Sequence, residues 1–185
     1  MSYKLVITMT DADYLAFNRF HMLRSPYGKK TMRSLRLSVA FLFLAIAFLS
    51  LILEDFSREA LFMAGVFLLI LLVFELSMNR FFLFILHRQI KNMKKSGKPG
   101  YTPHAEMTFT EQSFTEESET GKTELRYDVI ERVSIIESGA VYLHTNSLLA
   151  YVLPYRAFSS EAERESLIAF LKERCPGAAF AEYPR

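Results

Sequence analysis

Two stretches of this chain are apolar over lengths that an ordinary amphipathic helix does not need. Residues 37–53 read LSVAFLFLAIAFLSLIL, 17 positions without a charge, and Leu35 extends the run past Arg36. At 1.5 Å per helical residue that is near the shortest run able to cross a hydrocarbon core of roughly 30 Å. A second run, residues 60–74, is also uncharged; Glu75, Asn79 and Arg80 then interrupt it before residues 81–86 resume as FFLFIL. Helices apolar on every side need apolar surroundings, and little chain is left over to cover two of them. The pattern predicts a transmembrane helical hairpin over residues 35–86, with helices at about 35–53 and 60–86 and an outer loop at 54–59. Helical spacing continues beyond Leu86, with Ile90 and Met93 set among cations. Residues 87–98 therefore read as a basic juxtamembrane helix end and linker, broken by Ser96-Gly97-Lys98-Pro99-Gly100.

The flanking regions show shorter periods. Within residues 1–34, YKLVIT at 3–8 alternates as a strand. Thr10 and Asp13 approximate a capping box opening a helix to about Arg24, which Ser25-Pro26-Tyr27-Gly28 ends. His21, on the partly aromatic face of that helix, reads as a packing residue. Residues 99–185 read as a cytoplasmic domain of about six short strands: 105–110, one around Phe114, 122–127, 130–137, 140–145 and 148–153. Proline, which has no ladder donor, ends the last of them at Pro154. On the fifth strand His144 alternates with Leu143 and is expected on the exposed face. Ser159 and Ser160 cap a helix over 161–174, acidic in its first turn and basic in its last, as the helix dipole favours. The fold class is thus membrane α+β: a two-helix transmembrane hairpin plus a small antiparallel β-meander, PH-like in outline, capped by a C-terminal amphipathic helix.

Charge changes the picture next. The chain carries 22 Lys+Arg and 20 Asp+Glu, a net +2. That total conceals +8 over residues 1–98 (14 against 6) and −6 over residues 99–185 (8 against 14). Lys29, Lys30, Arg33 and Arg36 precede the first span; Arg80, Arg88, Lys91, Lys94, Lys95 and Lys98 lie at or beyond the end of the second. The connecting loop holds one cation and three anions. The positive-inside rule then predicts a multi-pass cell-membrane protein with both termini cytoplasmic. Arg88, Lys91, Lys94, Lys95 and Lys98 are expected against anionic lipids of the inner leaflet, not nucleic acid. Glu111, Glu116, Glu117 and Glu119, opposed by Lys122, would repel lipid headgroups from the first hairpin of the sheet domain.

Polar residues inside the spans are the candidates for chemistry. Glu75 lies about level with Val39 across the hairpin, one turn from Arg36, and four residues from Asn79. It reads either as a structural ion pair with Arg36 or hydrogen bond to Asn79, or as a proton- or ion-handling group. Ala40, Ala45, Ala47, Ser50, Ala64 and Gly65 would permit close helix contact. The single cysteine, Cys175, excludes an intramolecular disulfide, and the four histidines have no metal-ligand spacing. His104, His144 and Asp128 lack diagnostic spacing, and no phosphate loop or nucleophile–base pattern occurs. The expectation is therefore no enzyme activity and no cofactor.

Two short motifs carry a resemblance. Tyr127, Ile130 and Val133 form a Y-x-x-I-x-x-V strand; Leu153, Pro154, Arg156 and Phe158 form a hydrophobic-P-x-R-x-F strand exit. With the two spans and basic linker, these resemble the bacterial YcxB-like family. The resemblance implies a PH-like cytoplasmic domain on an inner-membrane anchor and supplies no catalytic residues. Ile130, Val133 and Phe158 read as core. Arg156 reads as the partner of a local acid such as Glu131 or Asp128, or as an anchor for a ligand carboxylate or phosphate. Two functions are in view: a membrane-tethered module that docks an unknown protein partner, or an oligomeric transport or channel component using Glu75.

Overall fold

The computed structural model describes residues 2–97 and 100–184. It divides into two units, Met1–Phe17 with Ser96–Arg185, and Asn18–Lys95, the boundary running through the first helix. Lys98 and Pro99, expected at the helix break, lie outside the described residues.

The first unit is built on two four-stranded sheets around one core. Strand β1 (Tyr3–Thr8) pairs antiparallel with β2 (His104–Phe109), which continues to β3 (Ser113–Ser118) and β4 (Gly121–Arg126). The second sheet has the order β7-β6-β5-β8, from β5 (Arg132–Ile136), β6 (Ala140–His144), β7 (Ala150–Pro154) and β8 (Ala179–Tyr183). Alternation places Tyr3, Leu5 and Ile7 inward opposite Phe109, Met107 and Ala105. Val133, Val141, Leu143 and Leu153 line the same core from the second sheet. Helix α4 (Glu161–Arg174) adds Leu167, Phe170 and Leu171; Ser160 caps it by accepting from the Glu163 amide at 3.1 Å.

The α+β class stands, and the strand count is larger than the pattern predicts. The N-terminal strand supplies β1, so a segment distant in sequence completes the first sheet. The C-terminal strand β8 pairs parallel with β5, Arg132 opposite Ala179. Its sequence, AFAEY, is too short and too weakly alternating to announce a strand, and its pairing depends on α4 carrying the chain back across the sheet.

In the second unit, α1 (Asp11–Leu23), begun in the first, meets α2 (Pro26–Leu53), which turns into α3 (Arg58–Lys95). The Ser25–Gly28 segment does more than stop α1. Ser25 accepts from the Gly28 amide at 3.0 Å and donates to the His21 carbonyl, with Pro26 at the first helical position, so it opens α2 as well. Gly28 is required there, since a Cβ would lie 2.0 Å from the His21 carbonyl oxygen. Both long helices extend beyond their apolar runs: α2 begins before residue 35, and α3 runs unbroken to Lys95, about 57 Å for 38 residues. The turn between them places Asp55 and Phe56 at φ 46° and 54°, and Ser57 caps α3 by accepting from the Ala60 amide at 3.1 Å. Ala47, Ala60 and Ala64 are buried and the Phe43 and Phe67 rings meet at 6.4 Å. Ala45 and Gly65 are exposed and take no part in the contact.

Candidate functional site

Among the described residues, candidate charged side chains are brought together at one place in each unit. On the hairpin, Arg36 from α2 reaches two of the three residues that interrupt the α3 apolar run, Glu75 and Asn79. Its Nη2 donates to Asn79 Oδ1 at 2.9 Å, and its Nε lies 3.7 Å from Glu75 Oε2. One guanidinium thus serves a carboxylate and an amide one turn apart, because residues four apart share a helix face. Arg80, next in sequence, is exposed, as are Arg88, Lys91, Lys94 and Lys95 along the end of α3. Lys98, grouped with these cations by sequence, lies outside the described residues.

The second cluster is where α1 begins. Thr10 and Asp13 form a reciprocal capping box: the Thr10 amide and hydroxyl donate to Asp13 Oδ2 at 2.8 and 2.6 Å, and the Asp13 amide donates to Thr10 Oγ1 at 3.3 Å. Arg156, from the 3₁₀ turn Tyr155–Ala157 after β7, grips the same carboxylate bidentately. Nη1 donates to Asp13 Oδ1 at 2.8 Å, Nη2 to Oδ2, and Nη2 also to the Thr8 carbonyl at 2.5 Å. Burial pushes the Asp13 carboxyl up, but the hydrogen bonds from Arg156 and Thr10 outweigh it and hold it below the usual carboxylate range. The local partners expected for Arg156 are not its partners. Asp128 lies 3.7 Å from Arg126 instead, and the acid that Arg156 binds is 143 residues away in sequence. A bidentate pair with a distant carboxylate was invisible to any scan of neighbours. Beside it, Tyr101 donates to Asp11 Oδ1 at 2.6 Å, and that hydrogen bond, with burial, pushes the phenol up to about 12.

The remaining motif residues are structural. Tyr127 opens a 3₁₀ turn, Tyr127–Val129, instead of ending a strand, and its buried hydroxyl donates to the Thr110 and Ser113 carbonyls at 2.7 and 3.1 Å. Ile130 and Val133 are buried behind it. Leu153 and Pro154 are fully buried at the end of β7; the Tyr155 amide takes over there, donating to the Gly139 carbonyl at 2.8 Å. Phe158 packs against the core from the end of the second 3₁₀ turn. The two motifs therefore build the same device, a strand–3₁₀ junction that tucks an aromatic ring inward.

Two expectations about side-chain placement fail. His144 is buried, although it does face away from the core as alternation requires. Helix α1 covers that face: Phe17 meets the Tyr142 ring at 5.1 Å and the His144 ring at 6.4 Å, and His144 Nε2 lies 3.2 Å from Ser134 Oγ. The acidic residues of the first hairpin do not form one face either. Glu117 pairs across the ladder with Lys122 at 3.3 Å, while Glu116 turns to the opposite face, where burial raises its pKa. Cys175 is buried as well, its thiol pushed up to about 11.

No curated protein and no solved structure matches the chain. Residues 109–171 match the family model described as YcxB-like protein, so the likeness drawn from the two strand motifs is shown over the segment that runs from the end of β2 into α4.

Proposed function

We propose that this chain is a non-enzymatic, multi-pass protein of a bacterial inner membrane. Its hairpin spans the bilayer with both termini in the cytoplasm, and its sheet unit serves as a PH-like interaction module. The observation that carries the reading is the distribution of exposed apolar side chains. They run along α2 and α3 from Leu35 to Ile85, while just 6% and 11% of the most apolar windows of these helices are buried. A surface of that length, with mean hydropathy 2.4 and 2.5, is compatible with lipid and costly in water. The exposed cations at both hairpin mouths support the orientation.

The same geometry favours a structural role for Glu75. A guanidinium shared between Glu75 and Asn79 ties α2 to α3 near the basic mouths and compensates the carboxylate's charge. That supports an interaction module over a transport path. The test is made on cells carrying a tag at Met1 or Arg185: both tags resist external protease until the membrane is opened, and the protein stays in the membrane fraction after alkaline extraction. A tag digested on intact cells overturns the orientation, and release at high pH overturns the span. Crosslinking in the same membranes is expected to capture a protein partner.

A further inference from the structure

Among the described residues, the first sheet ends on an uncovered strand. Strand β4 (Gly121–Arg126) is last in the order β1-β2-β3-β4, and each of its residues is exposed except the half-buried Leu125. The other sheet ends are better protected. At the far end of the same sheet, β1 buries alternate side chains and its Thr8 carbonyl accepts from Arg156. The ends of the second sheet, β7 and β8, are half-buried or buried at most positions. The hairpin decides which backbone groups β4 offers. Ser118 pairs with Gly121 across the turn Glu119-Thr120, so those two exchange both ladder bonds. Alternation then directs the N–H and C=O of Gly121, Thr123 and Leu125 into β3, and those of Lys122 and Glu124 outward along the free edge.

Such an edge is a template for another strand. The side chains Lys122, Glu124 and Arg126 share one face of β4 and read plus, minus, plus. Lysine often blunts a sheet edge, but Lys122 is answered within its own hairpin by Glu117 at 3.3 Å. The charge order is self-complementary for an antiparallel copy. With Thr123 opposite Thr123, Lys122 of each copy faces Glu124 of the other, and the same residues have the outward groups that exchange backbone bonds. Glu117, Lys122 and the second copy's Glu124 then alternate in sign across the joined sheets. On the opposite face Thr123 meets Thr123, and Leu125 meets Gly121, which has no side chain to clash. Other registers are worse. Glu124 opposite itself brings Lys122 against Arg126, so like charges meet throughout. Leu125 opposite itself pairs Glu124 with Arg126, but sets Lys122 against Asp128, beyond the strand in the 3₁₀ turn. A shift by one residue puts outward groups against groups already bonded to β3.

We infer that β4 is a docking edge for β4 of a second copy of this chain, in the antiparallel register that places Thr123 opposite Thr123. This rests on the reading of the sheet unit as an interaction module and names its partner; the membrane span plays no part in it. So short a ladder buries less than a stable dimer needs and makes a reversible contact, which covalent trapping detects.

The experiment uses the full chain purified in detergent micelles, carrying Thr123→Cys or, as control, Ser138→Cys, with mild copper-phenanthroline oxidation as the trap. Ser138 is exposed in the turn after β5, and the unsubstituted chain controls for the buried Cys175. In the stated register Thr123 is a non-hydrogen-bonded pair with itself, its Cα atoms about 4.5 Å apart and within disulfide reach. The Thr123→Cys chain is expected to yield about fivefold more linked dimer than the Ser138→Cys chain. Adding Lys122→Glu or Glu124→Lys sets like charges across the axis and is expected to cut that yield about fivefold, with circular dichroism unchanged. Mixing the two reversed chains, one of them carrying a size tag, sets opposite charges together again and restores the yield as a mixed dimer. Equal yields at Thr123 and Ser138, or a yield at Thr123 that ignores both reversals, overturn the inference. If a reversed chain loses its circular dichroism, the comparison of Thr123→Cys with Ser138→Cys decides alone. A Thr123→Cys chain that stays monomeric when pure but crosslinks to other proteins in cell membranes also overturns it: another protein's strand then fills the edge, and the interaction-module reading stands.

Discussion

The hairpin and the sheet unit are made from the same apolar residue types and do opposite things with them. In the sheet unit Leu5, Met107, Phe109, Phe114, Leu143 and Leu153 are almost wholly withdrawn from solvent. In the hairpin Phe41, Phe48, Leu53, Phe62, Leu69 and Leu76 are all exposed. One unit meets its own need for apolar surroundings by closing two sheets and a helix around a core. The other presents two rods whose mutual contact is narrow, lined by Ala47, Ala60 and Ala64, so the medium must do the covering. Hydrophobicity alone therefore does not say how a segment is stabilised. What matters is whether the chain can supply a second layer.

Three comparisons break or sharpen that contrast. The largest effect belongs to the sheet core. Phe109→Ala leaves a cavity beside Phe114, whose ring it stacks at 5.9 Å, and should cost about 3–5 kcal/mol. Leu69→Ala on the exposed apolar surface of the hairpin leaves no cavity and should change stability by less than about 0.5 kcal/mol. Thermal melts of the full chain in micelles, followed by circular dichroism, compare the two. Similar losses at both positions would erase the difference between the units.

A middle effect belongs to the glycines. Gly28→Ala drives a methyl group into the His21 carbonyl, and overpacking of that kind costs about 1–3 kcal/mol. Gly65→Ala meets nothing within 4 Å and should leave the melting temperature unchanged or raise it. If the two variants melt alike, the corner between α1 and α2 is not the tight joint it is taken to be.

The smallest effect belongs to the clasp on α1. Arg156 is half exposed, so its pair with Asp13 contributes at most about 1 kcal/mol. Since the Asp13 carboxyl is held below its ordinary value, that contribution is present above pH ~4, where the unfolded chain is also ionised. It is lost as pH falls through the still lower pKa of the folded state. Melts of the native chain and of Asp13→Asn should differ at neutral pH and converge in acid. A gap that persists or widens in acid would remove the carboxylate–guanidinium pair as its source.

Legibility in the sequence followed the range of the interaction. The strand over 3–8, the helix over 161–174, the Thr10–Asp13 capping box and the two apolar helices were readable because each depends on neighbours within one or two turns. The acid bound by Arg156, the burial of His144 and the strand β8 were not. Each depends on a segment brought from elsewhere: Asp13 across 143 residues, Phe17 over β6, and β5 alongside a strand that α4 carries back to it. Ile130 and Val133 are core, as their place in the motif predicts, but the backbone at Tyr127 is a 3₁₀ turn and not a strand end. Nothing in a three-residue step separates a short strand from a 3₁₀ turn.

By itself, then, the amino-acid order determined that this protein has two helices too apolar to be covered by the rest of the chain, cations at their mouths, and an acidic α+β region motif-linked to the YcxB-like family. Those properties are sums over local composition and period, which the order of residues states directly. Tertiary structure alone decided that the N-terminal strand completes the first sheet, that α1 lies across the second one held by Asp13 and Arg156, and that β4 is left as an exposed edge. Such outcomes turn on which surfaces meet, and surfaces distant along the chain meet only when burying them outweighs the entropy of bringing them together.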